Sequence, residues 1–156
     1  GRVLVDKLPM NSLGLPLISK LFPDAHVMFV RRDPRDVVLS CFRRQFAANA
    51  VGRQFFTLEG AARYYDLVMR LAELYLDKVE LNLRVQRYED LVADFDAQSR
   101  EICQFVGIEW TPGLRDFGSA AQALEVATPS SAQVSGHRRT SRSAISTVSE
   151  PVCFAK

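Results

Sequence analysis

The sequence predicts an α/β fold with a parallel sheet and right-handed crossovers. Short apolar segments typical of buried strands alternate with longer segments in which apolar residues recur every three or four positions, as on one face of a helix. Strands that alternate with helices form parallel sheets, because each helix returns the chain to the same end of the sheet. With 156 residues the chain is long enough for one domain with its own core.

Strands are predicted at residues 3–6, 26–30 and 83–87. A short helix is expected over 12–22, with Pro16 in the first turn, where proline is tolerated. Residues 58–79 carry the clearest helical stripe, and three leucines outside it suggest that this helix is covered on more than one face. A last helix is expected over 94–106, ending at Gly107 in a left-handed C-cap.

The segment after the second strand begins like a helix. Asp33 is a good N-cap, Pro34 suits the first helical position, and Asp36 suits the third, so a helix is expected from there to about Phe46. Arg31 and Arg32 stand just before it, at the carboxyl end of a strand, where open α/β sheets bind ligands. Helix N-termini and arginine forks both favour phosphate oxygens.

Ser40 lies on the side of this helix away from the apolar stripe, as a ligand-binding hydroxyl would. Arg32 and Ser40 could therefore share one phosphate. The alternative is that Arg32 pairs with Asp33 or Asp36 and that Ser40 is only solvated, because ion pairs at helix starts are frequent.

Composition excludes several other classes. The formal net charge of +2 indicates no global nucleic-acid or membrane role. Three cysteines without metal-ligand spacing predict no metal site, and thiol usage favours a reducing, cytoplasmic compartment. No apolar run reaches the roughly 18 residues of a membrane helix. A nucleotide kinase would need a G-x-x-x-x-G-K-[ST] loop, and the sequence contains none.

The arginine segment resembles the 3′-phosphate motif of sulfotransferases that use PAPS (3′-phosphoadenosine 5′-phosphosulfate), an R-x-P-x-D-x-x-x-S pattern that Arg32 begins and Ser40 ends. The wider similarity is to bacterial sulfotransferases fused to tetratricopeptide repeats and, more distantly, to tyrosylprotein sulfotransferases. It extends from about residue 3 to 134. Further matching segments are Asp6-Lys7-Leu8-Pro9-Met10-Asn11, Phe22-Pro23-Asp24-Ala25, Arg87-Tyr88-Glu89-Asp90-Leu91, Phe105-Val106-Gly107-Ile108-Glu109-Trp110, Thr128-Pro129-Ser130 and Gln133-Val134.

The resemblance implies a three-layer, P-loop-containing fold, with a parallel sheet flanked by helices, and a role for five residues. Arg32 and Ser40 would hold the 3′-phosphate of PAPS. Lys7 would contact the transferring sulfuryl group, where a cation stabilises developing negative charge, and Ser130 would approach the same group. Tyr88 would pack on the adenine. The alternatives are a surface lysine at position 7 and a core tyrosine at position 88.

The chain departs from the family at both ends. The family's phosphosulfate-binding loop, P-R-S-G-T-[ST], and its general base would lie upstream, so the sequence is expected to be a C-terminal fragment, incomplete at the N-terminus. Residues 1–134 are assigned to the sulfotransferase domain. Residues 135–156, rich in serine, threonine and arginine, are expected to form an irregular, flexible tail.

The leading interpretation is a sulfotransferase that moves a sulfuryl group from PAPS to a hydroxyl or phenol, such as a peptide tyrosine, with no turnover by the fragment alone. Tetratricopeptide repeats in the parent chain are an expected partner. The alternative is a non-catalytic remnant that folds and at most binds an adenine nucleotide weakly.

Overall fold

The computed structural model describes residues 4–44, 46, 49–116 and, for the backbone alone, 151–155. The chain divides into two compact units. The first comprises Gly1–Arg87 with Val148–Lys156, and the second comprises Tyr88–Thr147. The α/β class is confirmed, since helices and strands alternate through the first unit.

The first unit contains a four-stranded sheet of β1 (Leu4–Lys7), β2 (His26–Arg31), β3 (Asn82–Arg87) and β4 (Pro151–Ala155), in the order β1-β4-β2-β3. Strands β2 and β3 are parallel. Strand β4 lies antiparallel between β1 and β2. The three predicted strands therefore run in the same direction, and their carboxyl ends meet at one edge.

The predicted strands are parallel, as expected, but the unpredicted strand β4 is antiparallel to β1 and β2 and makes the sheet mixed. It lies within the segment that the sequence analysis assigned to an irregular tail, and the rest of 135–156 lies outside the described residues. An apolar run of five residues is too short for its periodicity to show whether it forms a helix or a strand. Its strand conformation comes from hydrogen bonding to β1 and β2 on either side.

The helices of the first unit start close to their predicted positions. A 3₁₀ turn at Pro9–Gly14 precedes α1 (Leu15–Leu21), where a single helix was expected over 12–22. Helix α2 (Pro34–Arg43) ends before the expected Phe46. Helix α3 spans Leu58–Lys78, and a second 3₁₀ turn at Gly52–Phe56, not predicted, leads into it.

The N-cap predicted at Asp33 is confirmed, and Thr57 caps α3 in the same way. The Asp33 side chain accepts a hydrogen bond from the backbone N–H of Arg35, and Thr57 Oγ1 accepts one from the N–H of Gly60 at 3.0 Å. These oxygens satisfy N–H groups that the first helical turn leaves without partners. The sequence therefore located the starts of α2 and α3 correctly.

The core of the first unit is built on β2. Val27 and Phe29 are fully buried, and they share one face of the strand because successive side chains alternate. The helices contribute mostly small residues, namely Val37, Cys41, Ala61 and Ala72. Leu67 and Leu74 of α3 remain 63% and 52% exposed. The expectation that α3 is covered on more than one face is thus not met within the described residues.

The second unit contains α4 (Tyr88–Ala93), α5 (Phe95–Val106) and a 3₁₀ turn at Pro112–Asp116. Helix α4 was not predicted, since six residues are too few to show a helical period. Gly107 follows α5 with φ 74°, so the left-handed C-cap is confirmed. A side chain there would strain the backbone.

A polar cluster holds the segment after Gly107 against α5. The indole N–H of Trp110 donates to Ser99 Oγ at 2.8 Å, and the Arg100 guanidinium stacks on the indole at 3.6 Å from the ring centre. Arg115 donates two hydrogen bonds to the Asp96 carboxylate and thereby lowers the pKa of Asp96. These contacts give the second unit its own packing.

Candidate anion-binding site

Basic residues gather where the parallel strands of the first unit end. Lys7, Arg31 and Arg87 are the last residues of β1, β2 and β3, and Arg32 follows β2 directly. Because these strands run in one direction, the four cations lie along one edge of the sheet. Helix α2 begins at the same edge, two residues after Arg32, and adds the positive end of its dipole.

Arg32 is held by α2. Its guanidinium donates to Asp36 Oδ2 at 2.9 Å, and its side chain is only 17% exposed. Asp36 lies in the first turn, so Arg32 is drawn along the start of the helix rather than into solvent. The ion pair weighed as the alternative therefore forms. It also fixes the orientation of this cation at the start of α2.

Ser40 lies one turn beyond Asp36 on the same face of α2, because residues four apart are neighbours on a helix. It is half-buried, and its hydroxyl makes no hydrogen bond within the described part of the chain. Arg32, Asp36 and Ser40 thus follow one another along a single line. A phosphate bound by Arg32 and Ser40 would lie beside Asp36.

The cap of α2 stays ionised at neutral pH. Arg35 donates to both carboxylate oxygens of Asp33, from Nε at 3.0 Å and from its terminal nitrogen at 2.7 Å. These bonds, with the backbone N–H of Arg35, lower the pKa of Asp33 to about 2. The Arg35 guanidinium is therefore occupied by the cap of α2.

Lys7 lies at the carboxyl end of β1 but lower on the sheet than the arginines. Its register partner Val152 is also the partner of Met28, so Lys7 is level with Met28, three residues before Arg31. With a rise of about 3.3 Å per residue and strands about 4.8 Å apart, the Cα atoms of Lys7 and Arg31 are roughly 14 Å apart. Lys7 and the arginines would therefore contact different parts of a ligand.

The other two residues named from the resemblance are placed differently. Tyr88 begins α4 in the second unit and is buried, with 9% of its surface exposed. Such burial is what the core alternative predicts. Ser130 lies outside the described residues.

Sequence reasoning missed the contacts of Arg31. Its terminal nitrogen donates to Glu73 of α3 at 3.1 Å, and its guanidinium lies 5.8 Å from the ring centre of Phe29. A contact between residues 42 positions apart leaves no local pattern. The only feature of the sequence that pointed to Arg31 was that it precedes Arg32 directly.

The described residues contain no group of three or more histidine, cysteine or acidic side chains that could hold a metal ion. Among those same residues, no helix is both long and apolar enough to cross a bilayer.

Comparison with curated proteins finds no match, and comparison with solved structures finds none either. Comparison with protein families does find one, over residues 1–112. The matched range includes the carboxyl ends of β1, β2 and β3, the whole of α2, and thus both Arg32 and Ser40. The chain belongs to the Sulfotransferase family.

Proposed function

We propose that the protein transfers a sulfuryl group from PAPS to a hydroxyl or phenol acceptor, such as a peptide tyrosine. The acceptor oxygen forms a bond to sulfur, and the bond from sulfur to the bridging oxygen of PAPS breaks. The acceptor proton is released, and 3′,5′-ADP (adenosine 3′,5′-bisphosphate) is the leaving group. Parent proteins with tetratricopeptide repeats, as in the bacterial relatives, belong to the same proposal.

The arrangement of Arg32 and Ser40 carries this proposal. PAPS differs from most adenine nucleotides by its 3′-phosphate. Arg32 is oriented along the first turn of α2 by Asp36, and the Ser40 hydroxyl lies one turn further on without a partner among the described residues. A guanidinium, a hydroxyl and a helix N-terminus supply the donors that a phosphate needs.

Lys7 supports the chemical step in the same proposal. Sulfuryl transfer builds negative charge on the bridging and sulfonate oxygens, and a fixed ammonium stabilises it. The offset between Lys7 and the arginines suits a donor whose sulfonate and 3′-phosphate lie at separate positions. Cys41 and Cys103 are buried and form no disulfide with each other, and a reducing compartment is part of the same proposal.

The first test concerns the 3′-phosphate. We expect 3′,5′-ADP to bind more tightly than 5′-AMP, because charge-assisted hydrogen bonds to the additional phosphate contribute about 1.5–3 kcal/mol each. Isothermal titration calorimetry with both nucleotides measures the difference. Arg32→Gln and Ser40→Ala should each reduce the preference for 3′,5′-ADP and leave the affinity for 5′-AMP unchanged.

Arg70→Gln is the matched control for the arginine. Arg70 also pairs with an aspartate four residues away, Asp66, but on the exposed face of α3, so its removal should leave both affinities unchanged. Equal affinity of the unmodified chain for the two nucleotides would show that this is not a 3′-phosphate site.

The second test concerns Tyr88, proposed to pack on the adenine. Tyr88→Ala should weaken 3′,5′-ADP binding by about 1–3 kcal/mol, the range for stacking of a base on an aromatic ring, and Tyr88→Phe should cost less. Calorimetry and thermal melting should be measured on the same samples. A lower melting temperature with unchanged affinity would assign Tyr88 to the core, in accord with its burial.

A further inference from the structure

Lys7 lies at the end of a strand that the core does not hold. Strand β1 is an edge of the sheet, with β4 as its neighbour on one side. All four of its residues, from Leu4 to Lys7, are exposed, so burial of their side chains does not fix the strand. Strand ends with few buried contacts open readily. A cation that acts on a transition state needs a fixed position, and here other contacts have to provide it.

One hydrogen bond closes the chain around Lys7. The side-chain amide of Asn11 donates from Nδ2 to Asp6 Oδ2 at 3.1 Å. Asp6 is the residue before Lys7 in β1, and Asn11 belongs to the 3₁₀ turn Pro9–Gly14 that follows the strand. The bond therefore joins the two ends of a short loop that contains Lys7.

The turn that carries Asn11 is fixed to the core of the first unit. Ser12 and Leu15, which follow Asn11, are 1% and 0% exposed. From α3 the Tyr64 hydroxyl donates to Met10 Sδ at 3.9 Å, so the turn also contacts a helix outside its own segment. Through Asn11, the exposed end of β1 is thus connected to a buried part of the chain.

The same bond determines where the Asp6 carboxylate lies. Asp6 and Lys7 are successive residues of β1, so their side chains leave opposite faces of the strand. The bond to Asn11 keeps the carboxylate on the face away from the Lys7 side chain. A carboxylate beside the ammonium would attract it and so compete with a transferring sulfuryl group.

We propose that Asp6 and Asn11 are positioning residues, which hold Lys7 where the sulfuryl group is transferred. This role rests on the proposed function, because that function assigns Lys7 to the sulfonate end of PAPS. Asp6 and Asn11 contact neither substrate and act through Lys7. Loss of their bond lets the end of β1 shift, and a displacement of about 1 Å is enough to slow a step that depends on alignment.

Transfer of radiolabelled sulfate from PAPS by the full-length protein tests the two residues. Asp6→Ala and Asn11→Ala should each lower kcat about tenfold, less than Lys7→Ala because the ammonium is still present. The affinity for 3′,5′-ADP should stay unchanged in both. Asp6→Asn should keep kcat near normal, since its side-chain amide can still bond Asn11. A loss with Asp6→Asn as large as with Asp6→Ala would contradict the role of this bond.

Asn49→Ala is the matched control. The Asn49 side chain also holds a 3₁₀ turn, because its Oδ1 accepts from the backbone N–H of Gly52 at 2.8 Å. That turn precedes α3 and does not follow Lys7. Asn49→Ala should therefore leave kcat unchanged, even where it lowers the melting temperature as much as Asn11→Ala does.

A double variant separates positioning from a general loss of stability. Added to Lys7→Ala, Asn11→Ala should lower kcat no further, because a residue that acts through Lys7 has no effect once the ammonium is absent. Equal losses from Asn11→Ala in the presence and in the absence of Lys7 would show that Asn11 is only structural.

Amide hydrogen exchange measures the strand end without any turnover. Asn11→Ala should speed exchange in residues 4–8 and leave exchange in β2 unchanged. Unchanged exchange in residues 4–8 would contradict the inference, whatever the effect on kcat.

Failure of this inference and failure of the proposed function give different results. If Lys7→Ala lowers kcat while Asp6→Ala and Asn11→Ala do not, Lys7 keeps its role and the positioning by Asp6 and Asn11 is wrong. If the full-length protein transfers no sulfate, or if Lys7→Ala has a normal kcat, the role of Lys7 is wrong and the positioning role with it.

Discussion

Lys7→Ala is expected to lower kcat for sulfuryl transfer about a hundredfold to a thousandfold, the usual effect of removing one preorganised group at a developing negative charge. Lys7 ends β1, about 14 Å from Arg31 by strand geometry. It should therefore act on the sulfonate end of PAPS and contribute little to binding of the 3′-phosphate. Transfer of radiolabelled sulfate from PAPS to phenols and tyrosine peptides, assayed on the full-length protein, measures the effect.

The affinity for 3′,5′-ADP supplies the companion measurement, because this product lacks the sulfuryl group. Lys7→Ala should leave it nearly unchanged. Lys20→Ala, which removes an exposed lysine from the last turn of α1, is the matched control and should leave kcat intact. A normal kcat for Lys7→Ala would contradict the catalytic role and show that Lys7 is only a surface lysine.

Gly60→Ala is expected to destabilise the first unit by about 3 kcal/mol, the upper end of the range for overpacking. A Cβ at this position would lie 2.4 Å from the carbonyl oxygen of Gln54 and 2.9 Å from Thr57 Oγ1. The first atom belongs to the backbone of the 3₁₀ turn before α3, and the second is the cap of that helix. Because the first is a backbone atom, the turn before α3 has to shift to make room for the Cβ.

Urea unfolding followed by circular dichroism measures this change. Gly113→Ala is the control, since its Cβ would make only an ordinary contact, 3.8 Å from Thr111 Oγ1. The control should stay within about 0.5 kcal/mol of the unmodified chain. Equal stability of the two variants would mean that the Gly52–Phe56 turn does not pack against the start of α3 as described.

Local signals located much of the candidate site. The start of α2 was predicted from Asp33, Pro34 and Asp36, and the end of β2 from the arginines before them. Both predictions were possible because helix caps and short apolar runs depend only on neighbouring residues. The motif alone did not decide between the two predicted roles of Arg32, phosphate binding and an ion pair. Pairing with Asp36 was predicted as an alternative, and it forms at 2.9 Å.

Other features had no local signal. Strand β4 is a five-residue apolar run whose pairing partners lie more than 120 residues away in the sequence. The neighbouring residues therefore predict neither its strand conformation nor its antiparallel direction. Helix α4 is too short to show a period. In the sequence Gly60 resembles an ordinary helix residue. The structure shows that the carbonyl oxygen of Gln54 lies too close to this position for a Cβ.

The sequence by itself determined the α/β class, the starts of the main helices and the presence of arginines at the end of β2, because each depends on periodicity, capping or residue type within a few positions. The tertiary structure decided the order of the strands, the level of Lys7 on the sheet, and the alignment of Arg31 with Arg87 and of Arg31 with Glu73. Those relations join residues distant along the chain. They depend on which strands and helices pack together, and that packing is set by the free energy of the whole unit.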